Sequence, residues 1–267
     1  MRPKILTACA FTIALFSNPA FADPCPPQAA EGRITGVGQC LLTKEYGSTE
    51  PDTLLIWLHG DVSSGGPANY HFPFAQKASE DFSKLKVRSI AVVRPGYPDG
   101  TGQSSSAAFL HGGRRDHYTL QNIEEIIGAI QNLQARYAAK KVVVVGHSGG
   151  AAMAASLLGV APGLVHGAVL VACPCDLTTW RIGRSAWSRS EDPIKWVAKV
   201  PPSTRVIALT GEGDDNTTPQ LAKTYIDALQ KLGVNAVYQG IPNEGHNSVF
   251  KSPQVSRAIE SLLTPGS

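Results

Sequence analysis

Along the chain, short runs of β-branched and aliphatic residues alternate with longer stretches whose apolar positions recur every three or four residues. The runs 53–58, 87–93, 141–145, 167–171 and 205–210 are almost continuously apolar, as strands covered on both faces are. A shorter and more mixed run, 236–239, is read as a further strand, and 32–46 as an antiparallel hairpin at the sheet edge. The clearest helix spans 119–138, where Leu120, Ile123, Ile126, Ile127, Ile130 and Leu133 form one stripe. Thr119 is placed to cap its start, with Glu124 and Glu125 near the positive end of its dipole. Further helices are expected after Tyr70 and over 149–158, 219–232 and 253–263. Strands alternating with helices predict an α/β fold with a mostly parallel central sheet and helices on both faces.

One interval breaks this rhythm. Residues 176–202 carry Trp180, Trp187, Trp196 and several arginines between two strands. A connection of that length is read as a small cap over a site, since long connections in compact domains usually serve function, with a packed surface excursion as the equal alternative.

The N-terminal residues 1–22 stand apart from the pattern. Arg2 and Lys4 make a basic start, 5–16 is apolar, and Ala20-Phe21-Ala22 fits the small-x-small cleavage rule. The apolar stretch falls short of the ~20 residues of a membrane span, so the segment is read as an export signal cleaved after Ala22. The expected protein is secreted or periplasmic and begins at Asp23. Leu6-Thr7-Ala8-Cys9 imitates a lipoprotein cleavage box, but no hydrophobic segment precedes it. No other segment approaches a membrane span, and residues 23–267 suffice for one large α/β domain.

Charge adds little. The formal net charge is +3, and Arg2 and Lys4 of the leader contribute to it, so nothing points to nucleic acid or an anionic surface. Arg114, Arg115, Arg181, Arg184 and Arg189 are read as solvated. Export leaves Cys25, Cys40, Cys173 and Cys175 in a compartment that permits disulfides. The favoured pairs are Cys25 with Cys40, tying the proline-rich start to the first strands, and Cys173 with Cys175 across Pro174. Free thiols and cross-pairing are the alternatives, because the second loop is very small. Cys-x-Cys without another cysteine pair or a nearby histidine makes no zinc set, and no metal or cofactor is expected.

The chemistry is carried by Gly146-His147-Ser148-Gly149-Gly150. Gly-x-Ser-x-Gly alone is a weak signal, but here it directly follows an apolar run and directly precedes an alanine-rich helical stretch. That is the strand–turn–helix setting of a nucleophile elbow. A serine hydroxyl needs a base, and the base a third group that orients it. His246, in a loop after the last strand, is the candidate base. The acid is expected after 205–210, in Gly211-Glu212-Gly213-Asp214-Asp215-Asn216, with Asp214 favoured, Asp215 its rival and Glu212 third. The same loop offers hard oxygen ligands, but its spacing does not fit a calcium loop. The oxyanion hole is assigned to the N–H groups of Asp61 and Gly149, on condition that the Asp61 side chain points away and is held by other donors. His59 is read as a structural hydrogen-bonding residue. Tyr97, Trp180, Arg181 and Trp187 are candidate pocket residues.

At these positions the chain resembles the α/β-hydrolase superfamily. His59-Gly60, Arg94-Pro95-Gly96-Tyr97, the Ser148 elbow, the Asp214 loop and His246 occur in that family's order, over nearly the whole chain after the leader. The segment from Asp192-Pro193-Ile194 through Asp214, Pro219, the helix before Gly233 and His246 is similar to the catalytic domain of prolyl-oligopeptidase-like enzymes. The resemblance implies a serine hydrolase that needs no cofactor and acts on a small ester or short peptide. Those peptidases usually place an aromatic residue after the serine, where this chain has Gly149, and carry a propeller domain that has no counterpart here. Ester hydrolysis, the less demanding chemistry, is therefore ranked above peptide hydrolysis. A catalytically inactive binding module on the same fold is the alternative from another class.

Overall fold

The computed structural model describes Cys25 and residues 32–63, 65–106 and 115–264. The expected leader 1–22 and Arg114 lie outside the described residues. The strands are β1 (Arg33–Thr35), β2 (Cys40–Gly47), β3 (Thr53–Leu58), β4 (Val87–Val92), β5 (Lys141–His147), β6 (Gly167–Val171), β7 (Arg205–Gly211) and β8 (Asn235–Ile241). They form one eight-stranded sheet in the order β1-β2-β4-β3-β5-β6-β7-β8. β2 pairs antiparallel with β1 and β4, and every other pairing is parallel.

The helices are α1 (Phe72–Asp81), α2 (Leu120–Tyr137), α3 (Gly149–Val160), the short α4 (Leu177–Trp180), α5 (Pro219–Lys231) and α6 (Pro253–Leu263). Side chains alternate across a strand, so the apolar run of β3 feeds two cores at once. Leu54, Ile56 and Leu58 pack with residues of α2, α3 and α5. Leu55 and Trp57 pack on the other face with residues of α1 and α6. Burying each such side chain fully is worth roughly 1.5–3 kcal/mol, and this is why the central strands lack polar alternation.

The hairpin forms at the sheet edge, with Thr35 opposite Cys40. Thr119 caps α2 by accepting from the Asn122 amide. Glu125 differs from expectation. It lies in the second turn of α2, is 4% exposed, and accepts from the amides of Val37, Gly38 and Gln39. Its carboxylate therefore holds the hairpin turn rather than the helix dipole. Both favoured disulfides are present, Cys25–Cys40 and Cys173–Cys175. Because the strands around β3 and β5 are parallel, the loops bearing Asp61, Ser148, Asp214 and His246 all leave the carboxyl edge of the sheet, where open α/β sheets place their sites.

Candidate active site

Ser148 stands between β5 and α3 with φ 52° and ψ −118°, a conformation that a non-glycine residue adopts only when its surroundings enforce it. Close packing supplies the enforcement. A β-carbon at Gly150 would lie 2.3 Å from the Leu58 carbonyl oxygen, and one at Gly146 would lie 2.6 Å from the Ala151 Cα. Only glycines let α3 press this closely against the ends of β3 and β5. The hydroxyl is thereby presented at the carboxyl edge, with Ser148 9% exposed.

His246 Nε2 lies 3.0 Å from Ser148 Oγ, and its Nδ1 lies 2.9 Å from Asp214 Oδ2. The Asp214 side chain is fully buried. Its other oxygen accepts from the amides of Asn216 and Thr217 at 3.0 and 2.8 Å. Burial pushes this carboxyl up, but the hydrogen bonds from His246 and Thr217 outweigh it and hold it below the ordinary carboxylate range. The rivals Asp215 and Glu212 are exposed. Thr217 Oγ1 stands 2.7 Å from Asp214 Oδ2 and 3.0 Å from His246 Nδ1. Asn216 Nδ2 approaches His246 Nε2 at 3.4 Å. Thr217, one residue past the expected acidic loop, was not singled out from the sequence, and Asn216 was weighed there only as one of the loop's hard oxygen ligands.

The Asp61 carboxylate is gripped on every side. Oδ1 accepts from Arg94 Nη2 at 2.7 Å and from the Tyr97 hydroxyl at 3.0 Å, and Oδ2 accepts from the Tyr118 hydroxyl at 2.5 Å. Arg94 is 1% exposed. Burial opposes its charge, but Tyr97, Asp61 and Tyr118 keep its proton affinity above the ordinary arginine value. Tyr118 is pushed up by burial and by the Asp61 charge. This cluster also explains Gly149. A β-carbon there would lie 2.4 Å from Asp61 Oδ1, 2.6 Å from Tyr118 Oη and 2.7 Å from Arg94 Nη1. The Gly149 amide opens α3 and has no intrahelical partner. Among the described residues the Asp61 amide has no partner either. Gly60, just before it, packs so closely that its β-carbon would sit 3.1 Å from Ser148 Cβ.

Tyr97 is a correction. It is fully buried behind Asp61, so its ring offers no surface to a substrate. His59 is buried, with Nδ1 2.7 Å from the Gly60 carbonyl and Nε2 accepting from the Arg94 amide, in a structural position. His147 was quoted only as part of the elbow, yet it joins two loops of the site. Its Nε2 lies 3.1 Å from the His246 carbonyl and its Nδ1 2.7 Å from the Tyr70 hydroxyl, which accepts from the Gly60 amide at 2.5 Å. A carbonyl only accepts, so Nε2 carries the proton, Nδ1 is an acceptor, and Tyr70 donates to it. Burial pushes His147 down to about 4 and Tyr70 up to about 12, which keeps both neutral.

The interval 176–202 lies against these elements. Trp180 donates its indole N–H to the Asn216 carbonyl at 2.7 Å. Trp187 makes edge contacts with Tyr118 and Trp180, each at 5.2 Å between centroids. Arg181 lies over both indoles, 5.2 Å from Trp180 and 5.0 Å from Trp187. Trp196 donates its indole N–H to Glu191 at 3.1 Å.

Comparison with known proteins agrees with this geometry. No curated protein matches the sequence. Among solved structures, Est1E from Butyrivibrio proteoclasticus with ferulic acid bound superposes with a TM-score of 0.65 at 14% identity, covering 86% of this chain and 98% of that one. An esterase of Pyrococcus furiosus gives 0.63 at 16% identity over 86% and 90%. The acylaminoacyl peptidase of Pyrococcus horikoshii gives 0.65 at 13% identity over 85% of this chain but 39% of its own. At these identities the likeness is one of fold, the α/β-hydrolase fold. Residues 84–264 match the model of the prolyl oligopeptidase family, and with most of its length so matched, the chain belongs to that family of serine hydrolases.

Proposed function

We propose that the enzyme hydrolyses carboxylic esters through an acyl-enzyme on Ser148. The observation that carries this reading is the line Asp214 Oδ2, His246, Ser148 Oγ, joined at 2.9 and 3.0 Å. His246 Nε2 takes the hydroxyl proton as Ser148 Oγ bonds to the acyl carbon, and Asp214 stabilises the imidazolium that results. The Asp61 and Gly149 amides receive the oxyanion. As the bond to the leaving group breaks, His246 passes it the proton. Water, deprotonated by the same imidazole, then attacks the acyl-enzyme, releasing the acid and restoring Ser148. The Arg94, Tyr97 and Tyr118 donors engage both oxygens of the Asp61 carboxylate, which supports the condition set on that amide. Residues 176–202 act as a small cap, with Trp180, Arg181 and Trp187 facing the substrate.

Peptide hydrolysis is the second reading, favoured by the family match over 84–264. Ester cleavage ranks first because Gly149 stands where those peptidases place an aromatic residue. Export after residue 22 is part of the proposal, supported by the leader's pattern and by two disulfides, which persist in oxidising compartments.

Labelling with a fluorophosphonate probe tests the core claim. Wild type should label and Ser148→Ala should not. Labelling independent of Ser148 would overturn the nucleophile assignment, and a folded wild type that resists the probe would support the inactive binding module. Rates on short p-nitrophenyl esters against dipeptide amides rank the two chemistries, and an amide preference would reverse the order.

A further inference from the structure

Arg184 Nη1 donates to Asn216 Oδ1, and Asn216 Nδ2 donates to His246 Nε2, each at 3.4 Å. One side-chain amide therefore separates a guanidinium from the face of the imidazole that serves Ser148. Beside it, Arg181 is clamped over Trp180 and Trp187, and its Nε is tied to the Ser185 carbonyl at 2.9 Å. Arg184 lies over the same Trp180 ring at 5.9 Å. The indoles fix the flat faces of Arg181 and leave its outer N–H edge, the edge that pairs with a carboxylate.

Among the described residues no carboxylate lies within ion-pair distance of either guanidinium. Two acids of the neighbouring loops are already engaged. Asp116 serves Arg189 and the amides of Arg189 and Ser190, and Asp176 serves the Thr179 amide and hydroxyl. Burial, then the charges of Arg184 and Arg115, pull the Arg181 proton affinity down, with Tyr118 and Asp116 opposing. Two like charges held together beside an active serine gain from an anion placed between them.

We propose that Arg181 and Arg184 bind a carboxylate carried on the leaving group of the substrate. The inference rests on the acyl-transfer reading of Ser148. It places the anion on the leaving-group side because His246 delivers its proton there, and Asn216 and Arg184 continue outward from that nitrogen. The carboxylate has two possible sources, an acidic phenol or hydroxy acid in an ester, and the free C-terminus of a short peptide.

The test compares matched pairs of substrates. 3-Carboxyphenyl acetate is set against 3-carbamoylphenyl acetate, and N-acetyl dipeptides with a free C-terminus against their C-terminal amides. Wild type should favour the charged member of one pair by roughly tenfold or more in kcat/KM, as expected for one well-made charge-assisted contact. The ratio should fall towards one in Arg181→Gln/Arg184→Gln and shrink as salt is raised. The pair that responds identifies the source. A wild-type ratio near one in both pairs, or a preference that survives the double substitution, would overturn the proposal. Binding of 3-hydroxybenzoate to Ser148→Ala, followed by calorimetry, needs no turnover. It should weaken roughly tenfold in the double glutamine background, and unchanged binding would count equally against the proposal. Hydrolysis surviving in Ser148→Ala would instead refute the acyl-transfer reading, so the two failures are distinguishable.

Discussion

His147 Nε2 donates to the carbonyl of His246 at 3.1 Å, so the residue before Ser148 holds the backbone of His246. Through Nδ1 and Tyr70 the same ring reaches the Gly60 amide, and the loops of His246 and Asp61 share one support. Tyr70→Phe removes the hydroxyl that links them and leaves the ring packing in place. A lost hydrogen bond of about 1–1.5 kcal/mol predicts a fall in kcat of roughly tenfold. KM should change little, since Tyr70 touches no substrate group. Steady-state kinetics on one ester checks this, and a change confined to KM would count against a positioning role.

Asp214 and Asp215 are adjacent, but only Asp214 is buried against His246. Asp214→Asn is expected to lower kcat by roughly 10³–10⁴, the effect of losing the carboxylate that fixes the imidazole tautomer. Asp215→Asn should stay within about twofold. The two variants assayed side by side give the answer, and equal losses would reopen the choice of acid.

Gly149→Ala places a methyl group 2.4 Å from Asp61 Oδ1, a contact that backbone or carboxylate must move to relieve. Since a misplacement of about 1 Å at an active site costs on the order of 10²-fold, activity should fall by at least that factor. The circular dichroism spectrum should be retained. A fully active variant would show that the Asp61 cluster yields without consequence.

His147 and His71 are buried and neutral, pushed down by burial to about 4 and about 3. The unfolded chain takes up these protons near pH 6.5. Above that value the two histidines carry no penalty. As pH falls from 6.5 towards 4, the unfolded state binds more protons and stability is lost, on the order of 3 kcal/mol per histidine. Urea midpoints at pH 7, 5.5 and 4.5 should fall in that order. His147→Gln should flatten the decline, and an unchanged slope would contradict the burial argument.

The strands were legible because each central one is an uninterrupted apolar run, a local signal of two-sided burial. Ser148 was legible for a similar reason, since glycine, serine and glycine at fixed spacing between a strand and a helix describe one turn. The choice between Asp214 and Asp215 was not local, because it depends on which side chain the loop turns towards β8 and His246. The role of Glu125 was misread because helix position suggested a dipole contact, whereas the bonds it makes reach residues 86–88 positions away. Tyr118 shows the same limit. Its bond to Asp61 spans 57 positions, and no periodicity records it.

Cys173 and Cys175 are wholly enclosed, and the two residues just before them touch the loops of Ser148 and Asp214. The Ser148 amide donates to the Val171 carbonyl at 2.8 Å, and Thr217 Oγ1 stands 3.0 Å from the Ala172 carbonyl. Sulfur atoms shut inside the finished protein are beyond the reach of an oxidoreductase, because thiol–disulfide exchange requires access. The bond therefore belongs to biosynthesis, formed while the segment is still open. Protein matured without an oxidant would carry two thiols behind the nucleophile, and oxidising conditions applied to the folded product would come too late to join them.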